Sequence, residues 1–173
     1  MKNFEILIKN KQIVKRIKTL AKSIDTKYQD EPIVLICVLK GAIVFYAELL
    51  KYLKSTNIEL DFIQVKSYEG VSTTGNITLL KDVNTSLKDK NVILVEDIVD
   101  TGITANWLYK HFIKQQPKSL LLCSLLQKPS KLQVDLEMEV MIAFNIEDKF
   151  IIGYGLDLDQ KYRNLQDIYV LKN

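Results

Sequence analysis

The chain has 173 residues, 47% of them hydrophobic, enough for one domain that buries roughly 70% of its unfolded surface and too apolar for bulk disorder. Its net charge of +3 is too small to argue for nucleic-acid binding. A single histidine, His111, nearly excludes a Ser-His-Asp triad or a histidine-ligated zinc site, so acid–base work must fall to carboxylates, lysines or tyrosines.

In chain order, the basic excess comes first: Lys2, Lys9, Lys11, Lys15, Arg16, Lys18, Lys22 and Lys27 outnumber Glu5, Asp25 and Asp30. Ile13, Ile17, Leu20, Ala21 and Ile24 keep helical spacing there, which predicts a surface helix with a solvated basic face. Ile33–Leu39 reads as a buried strand, followed by a turn at Lys40-Gly41 and a helix over Ala42–Lys54. Ile58–Lys66 alternates as a second strand. Ser67–Asn76 is long, small and polar and holds two glycines, which predicts a loop. Thr78–Leu80 and Val92–Val95 read as further strands, Thr104–Gln115 as a helix, and Ser119–Leu126 and Val140–Phe144 as apolar strands. The alternation predicts an α/β fold, a parallel sheet covered on both faces. Cys37 and Cys123 lie inside apolar runs without metal-ligand spacing and read as small core residues; His111 reads as an ordinary helix-surface histidine. No basic-apolar-small leader opens the chain and Lys40 breaks the longest apolar stretch, so the expectation is a cytoplasmic protein without membrane association.

The most informative stretch is Val92-Ile93-Leu94-Val95-Glu96-Asp97-Ile98-Val99-Asp100-Thr101-Gly102-Ile103-Thr104. Its apolar run ends in two adjacent carboxylates, then turn residues, then a helix. In open α/β sheets ligands bind at such strand ends. Loop amides and a helix N-terminus suit a phosphate. The carboxylates do not; they suit ribose hydroxyls, or a divalent cation that brings phosphates with it.

This loop resembles that of the phosphoribosyltransferases. Lys40-Gly41, Ser67-Tyr68, Lys128 and the tail from Asp148-Lys149-Phe150-Ile151-Ile152-Gly153-Tyr154-Gly155-Leu156-Asp157 through Tyr162-Arg163-Asn164-Leu165 extend the resemblance to the hypoxanthine-guanine branch, from about Pro32 to Leu171. The loop points to a ribose-phosphate donor and the tail to 6-oxopurines. The resemblance implies the type I phosphoribosyltransferase fold over residues 1–173: a mainly parallel sheet flanked by helices, and a small hood built from the N-terminal segment and about residues 128–173. It also implies a mobile lid at about 67–77 including Ser67 and Tyr68, and a homodimer or homotetramer.

The implied roles follow residue by residue. Glu96 and Asp97 would hold ribose hydroxyls and an associated Mg²⁺, and Asp157 a second Mg²⁺ on the pyrophosphate of phosphoribosyl pyrophosphate. Asp100 would be the general base or acid at a purine ring nitrogen, and Asp100, Thr101, Gly102, Ile103 and Thr104 would enclose the 5′-phosphate. Lys40, Gly41 and Arg163 would bind pyrophosphate. Lys128 can only donate, which suits the 6-oxo group of hypoxanthine or guanine. Phe150 would stack on the purine, with backbone near Ile151 and Asp157 at its other edge. The family commonly has Glu-Ile-Pro-Asp where this chain has Asn145-Ile146-Glu147-Asp148, which leaves the ranking of hypoxanthine, guanine and xanthine open. Two rival readings stand beside this one: a regulatory homologue that binds nucleotide and RNA, and a phospho-accepting receiver domain.

Overall fold

The computed structural model describes residues 3–67 and 77–172, with the side chain of Ser67 outside that description. Tyr68, and with it most of the expected lid, lies outside the described residues. Strand β1 (Phe4–Ile8) leads into helix α1 (Asn10–Tyr28), and β2 (Ile33–Leu39) into α2 (Ile43–Tyr52). Next come β3 (Ile58–Ser67), β4 (Ile77–Lys81) and β5 (Asn91–Val99). Helix α3 (Ile103–Phe112) precedes β6 (Ser119–Gln127) and β7 (Glu139–Asn145), and the short β8 (Ile151–Ile152) and β9 (Ile168–Leu171) close the chain.

Six strands form the central sheet in the order β4-β3-β2-β5-β6-β7, all parallel except the edge strand β4. The continuous apolar runs follow from its two covered faces, because successive strand residues point to opposite sides. Ile33, Leu35 and Cys37 of β2 pack with Ile93 and Val95 of β5 and with α1 and α2. Val34, Ile36 and Val38 pack with Val92, Leu94 and α3 on the other face. Cys37 and Cys123 are free and buried in the first of these cores.

From β2 the chain moves outward to β3, while β5 leads to β6 and β7 on the other side. The carboxyl ends of β2 and β5 therefore meet at the point where strand order reverses, the favoured ligand position in such sheets. β5 is longer than the expected Val92–Val95: its pairing with β6 runs on to Val99↔Gln127, so Glu96 and Asp97 sit inside the strand. α2 is shorter than expected, and α3 gives way to a 3₁₀ turn at Ile113–Gln115.

The strands that sequence reading did not foresee form a second sheet, β1-β9-β8, which joins the two ends of the chain. Its Ile8, Ile151, Ile168 and Val170 complete the core under α1. The basic helix is not solvated throughout: Arg16 donates to the carbonyls of Ala143 (2.9 Å) and Ile142 (3.1 Å), occupying acceptors of the edge strand β7. His111 also differs from a plain surface histidine. Its ring stacks on Trp107 at 5.1 Å and its Nε2 lies 3.0 Å from both oxygens of Asp82. Among the described residues no helix is long and apolar enough to cross a membrane.

Candidate active site

Glu96 and Asp97 reach the strand end from opposite faces of β5. Glu96 is buried and its Oε2 has no hydrogen-bond partner among the described residues. Burial, and then the charge of Asp97, push its carboxyl well above the usual carboxylate range. Burial likewise pushes Asp97 up to about 6, with Asp157 adding to the effect; the Ile98 amide, at 2.9 Å, and Arg163 act against it. Glu96 above all is a group short of counter-charge, held where solvent cannot supply it.

Asp97 leans on the turn after β2. A Cβ on Gly41 would fall on the Asp97 carboxylate, so only glycine lets the acid lie against this backbone. Gly155, at φ +101°, packs on the same turn, and a Cβ there would fall on the Gly41 carbonyl oxygen. The Leu39–Lys40 peptide is cis. Arg163 donates to the Gly155 carbonyl at 2.7 Å and pairs with Asp157 Oδ1 at 2.7 Å. Lys40 and Arg163 both reach the side-chain oxygen of Gln160, at 3.4 and 3.3 Å. The Gln160 amide in turn donates to Asp157 Oδ2 at 2.8 Å. A neutral oxygen thus lies between two cations, a place that an anionic oxygen suits better. Sequence reasoning missed Gln160, whose only signal is its spacing of three residues from both Asp157 and Arg163.

A second cluster forms at the carboxyl ends of β5 and β6. Lys128 is buried at 7% exposure, its amide held by the Val99 carbonyl at 3.0 Å. Its ammonium lies 3.2 Å from Asp148 Oδ1 and 3.8 Å from Asp100 Oδ2. Lys131, which sequence reasoning did not single out, pairs with the same two oxygens at 3.5 and 3.2 Å. Hydrogen bonding to Lys128, opposed by partial burial and aided by both lysine charges, holds the Asp148 carboxyl below the usual range. Asp100 Oδ1 is buried without a partner among the described residues.

From Asp100 the chain turns through Thr101 and Gly102 into α3. No side chain caps the helix and no acid stands in its first turn. The Ile103 amide meets Thr101 Oγ1 at a long 3.4 Å. The opening amides of Ile103 and Thr104 thus point out of a positive helix end with weak protein partners or none within the helix, as a phosphate requires. Gln133 ties this loop to the segment after Lys128 by donating to the Thr101 carbonyl at 3.0 Å. Phe150 is 49% exposed just before β8, whereas Ile151 is buried, so Phe150 is free to serve as a stacking face.

The expected metal ligands stand in two places, Glu96 and Asp97 on β5 and Asp157 in the tail. Asp97 lies within electrostatic reach of both Glu96 and Asp157, yet among the described residues no three His, Cys, Asp or Glu side chains converge as a cage. Asp157 is taken up by Arg163 and Gln160. One or two carboxylates plus substrate oxygens and water are what Mg²⁺ ordinarily takes, and the unpartnered Glu96 Oε2 fits that need.

The two glycines should respond differently to alanine. Gly155→Ala sets a side chain at positive φ against backbone and should destabilise the protein by about 1–3 kcal/mol or more, read by thermal unfolding. Gly41→Ala meets a side chain, the Asp97 carboxylate, and not backbone, so Tm should fall less than in Gly155→Ala while donor binding is lost; equal Tm losses would contradict this. The raised Asp97 pKa also fixes a sign. The folded state holds its proton to about pH 6 and the unfolded chain only to about pH 4, so stability falls as pH rises between them. Ligand-free protein should therefore lose Tm from pH 5 to pH 7 relative to Asp97→Asn; parallel profiles would refute the shift.

Comparison with known proteins bears on the whole chain. The family model described as "Phosphoribosyl transferase domain" matches residues 4–159. Hypoxanthine-guanine phosphoribosyltransferase of Bacillus subtilis is 39% identical over 170 residues, 97% of this chain and 93% of the relative. A crystal structure of a hypoxanthine-guanine phosphoribosyltransferase from Bacillus anthracis superposes with a TM-score of 0.91 at 43% identity, covering 96% of this chain and 98% of that one. The Trypanosoma cruzi hypoxanthine phosphoribosyltransferase in complex with IMP gives 0.87 at 38% identity, covering 96% and 94%. With this match the receiver-domain reading falls. The chain belongs to the phosphoribosyltransferase family, in its hypoxanthine-guanine branch.

Proposed function

We propose that the protein transfers phosphoribose from phosphoribosyl pyrophosphate to hypoxanthine, and to guanine, giving IMP or GMP and pyrophosphate in purine salvage. The observation that carries this reading is the Asp100–Lys128 pair: a carboxylate with one unpartnered buried oxygen beside a buried ammonium. One can accept a proton from a purine ring nitrogen while the other donates to the 6-oxo group. The product-bound relative and the relatives' names support it. They also favour an enzyme over a regulatory, RNA-binding homologue.

A purine ring nitrogen bonds to the anomeric carbon as the bond from that carbon to pyrophosphate breaks, through a state of oxocarbenium character. The proton that the ring gives up passes to Asp100 Oδ1. Lys40, the Gly41 backbone and Arg163 hold the departing pyrophosphate, displacing the Gln160 oxygen from between the two cations. The loop from Asp100 to Thr104 holds the 5′-phosphate. Phe150 stacks on the base, and backbone at Ile151 and Asp157 meets its far edge. Glu96 and Asp97 orient the ribose hydroxyls, and with Asp157 would hold Mg²⁺ directly or through water. Bound Mg²⁺ would supply charge neutralisation on the phosphate oxygens.

On this reading the sheet β1-β9-β8 and residues from about 128 onward act as the hood over the base, and the segment containing Ser67 and Tyr68 as the lid. A homodimer or homotetramer is part of the proposal and is checked by sedimentation equilibrium.

The test is a panel of hypoxanthine, guanine, xanthine and adenine with the ribose-phosphate donor and Mg²⁺, following nucleotide formation. Hypoxanthine and guanine should be used, and adenine disfavoured by up to about 10⁴-fold because its amino group leaves Lys128 unpaired. Lys128→Ala should erode that preference while donor binding holds. Equal use of adenine, or full turnover after exhaustive chelation, would contradict the proposal.

A further inference from the structure

We propose that Lys131 is a positioning residue for Asp100: it pins one carboxylate oxygen so that the other is the atom presented to the purine. The inference rests on the proton-accepting role of Asp100 proposed above. Its starting point is an asymmetry. Both nearby ammonium groups address the same oxygen, Asp100 Oδ2, with Lys131 at 3.2 Å and Lys128 at 3.8 Å. Oδ1 is left buried and without a partner among the described residues. A carboxylate's last torsion is broad, so an unrestrained Asp100 samples many orientations of its plane. A charge-assisted contact on one oxygen fixes that plane and with it the direction in which the other oxygen points.

Lys131 is itself held for this. It ends the 3₁₀ turn Pro129–Lys131, its amide donating to the Lys128 carbonyl at 3.0 Å, so its position is set by the residue that reads the base. Its ammonium also lies 3.5 Å from Asp148 Oδ1, the oxygen that Lys128 contacts at 3.2 Å. Two lysines and two aspartates thus form a closed set of charges. Within it Lys131 has a further effect on Lys128. Without Lys131, the Lys128 ammonium would be the only cation among the described residues within 4 Å of Asp100 and would be drawn to it, away from the 6-oxo group. With Lys131 in place, Asp100 has its own cation and Lys128 is free to donate to the base.

The test uses Lys131→Met, which keeps length and apolar stem without charge, Lys131→Arg, which keeps the charge, and each in an Asp100→Asn background. Lys131 is 36% exposed in its side chain, so folding should survive, checked by Tm. Lys131→Met should lower kcat by about 10–100-fold, the scale of a misplaced reacting group, with the donor KM little changed. Lys131→Arg should recover most of that loss. If Lys131 acts through Asp100, Lys131→Met should cost nothing further once Asp100 is Asn, a fully non-additive cycle.

Three results would overturn the inference: kcat within twofold of wild type in Lys131→Met, no recovery in Lys131→Arg, or losses that multiply in the double variant. A wild type unable to transfer phosphoribose would overturn the proposed function and, with it, this role. An active wild type with an additive cycle would overturn the role of Lys131 alone.

Discussion

An excess of carboxylate at the carboxyl ends of two parallel strands sets the terms for everything around it. Two unit charges about 4 Å apart repel by roughly 4 kcal/mol at an effective dielectric near 20, and burial removes the water that would weaken that repulsion. The protein answers in two ways. Asp100 and Asp148 share Lys128 and Lys131, and Asp157 takes Arg163. Glu96 and Asp97 receive no such partner and hold protons above the usual range. On the proposed function, Asp100 and Asp148 lie where the base is read, and Glu96 and Asp97 where ribose and cations come. On the proposed function, ligands complete the charge balance of this site.

Close backbone packing then fixes where these charges stand. Asp97 lies on Gly41, Gly41 carries Gly155, and the Gly155 carbonyl receives Arg163. Through this stack the strand that bears the acids, the turn after β2 and the C-terminal tail share one geometry. The parts come from distant stretches of sequence, and the central sheet brings them together because β2 and β5 are neighbours at the reversal of strand order. The second sheet contributes by tying β1 to β9, which anchors the tail that supplies Phe150, Asp157 and Arg163.

Most of the central sheet is legible in the sequence because buried parallel strands must be apolar at every position; Ile33–Leu39 matches β2 residue for residue. The boundary at β5 was not, since Glu96 and Asp97 read locally as the end of a strand. Pairing with β6 overrides that local signal and carries the strand to Val99. β1 and β8 escaped notice because five and two residues carry little periodicity and their partner, β9, lies at the far end of the chain. At the site, residue types in a recognisable order marked Asp100, Lys128 and Arg163. What no linear pattern conveyed was their partners: Lys131, Asp148 and Gln160 matter through contacts that exist only once strand ends and tail converge. The pairing of Asp157, expected at a second Mg²⁺, with Arg163 is likewise a contact that no linear pattern conveys.

The claim on which the account turns is that Asp100 moves a proton and does not merely shape the phosphate loop. It is tested most directly by measuring turnover and IMP affinity on the same folded Asp100→Asn protein. The asparagine keeps the shape of the side chain and the loop amides remain, but the proton acceptor is gone. The account predicts a loss in kcat of about 10²–10⁴-fold with IMP affinity nearly unchanged. Near-normal turnover, or turnover and IMP affinity lost in equal measure, would contradict it.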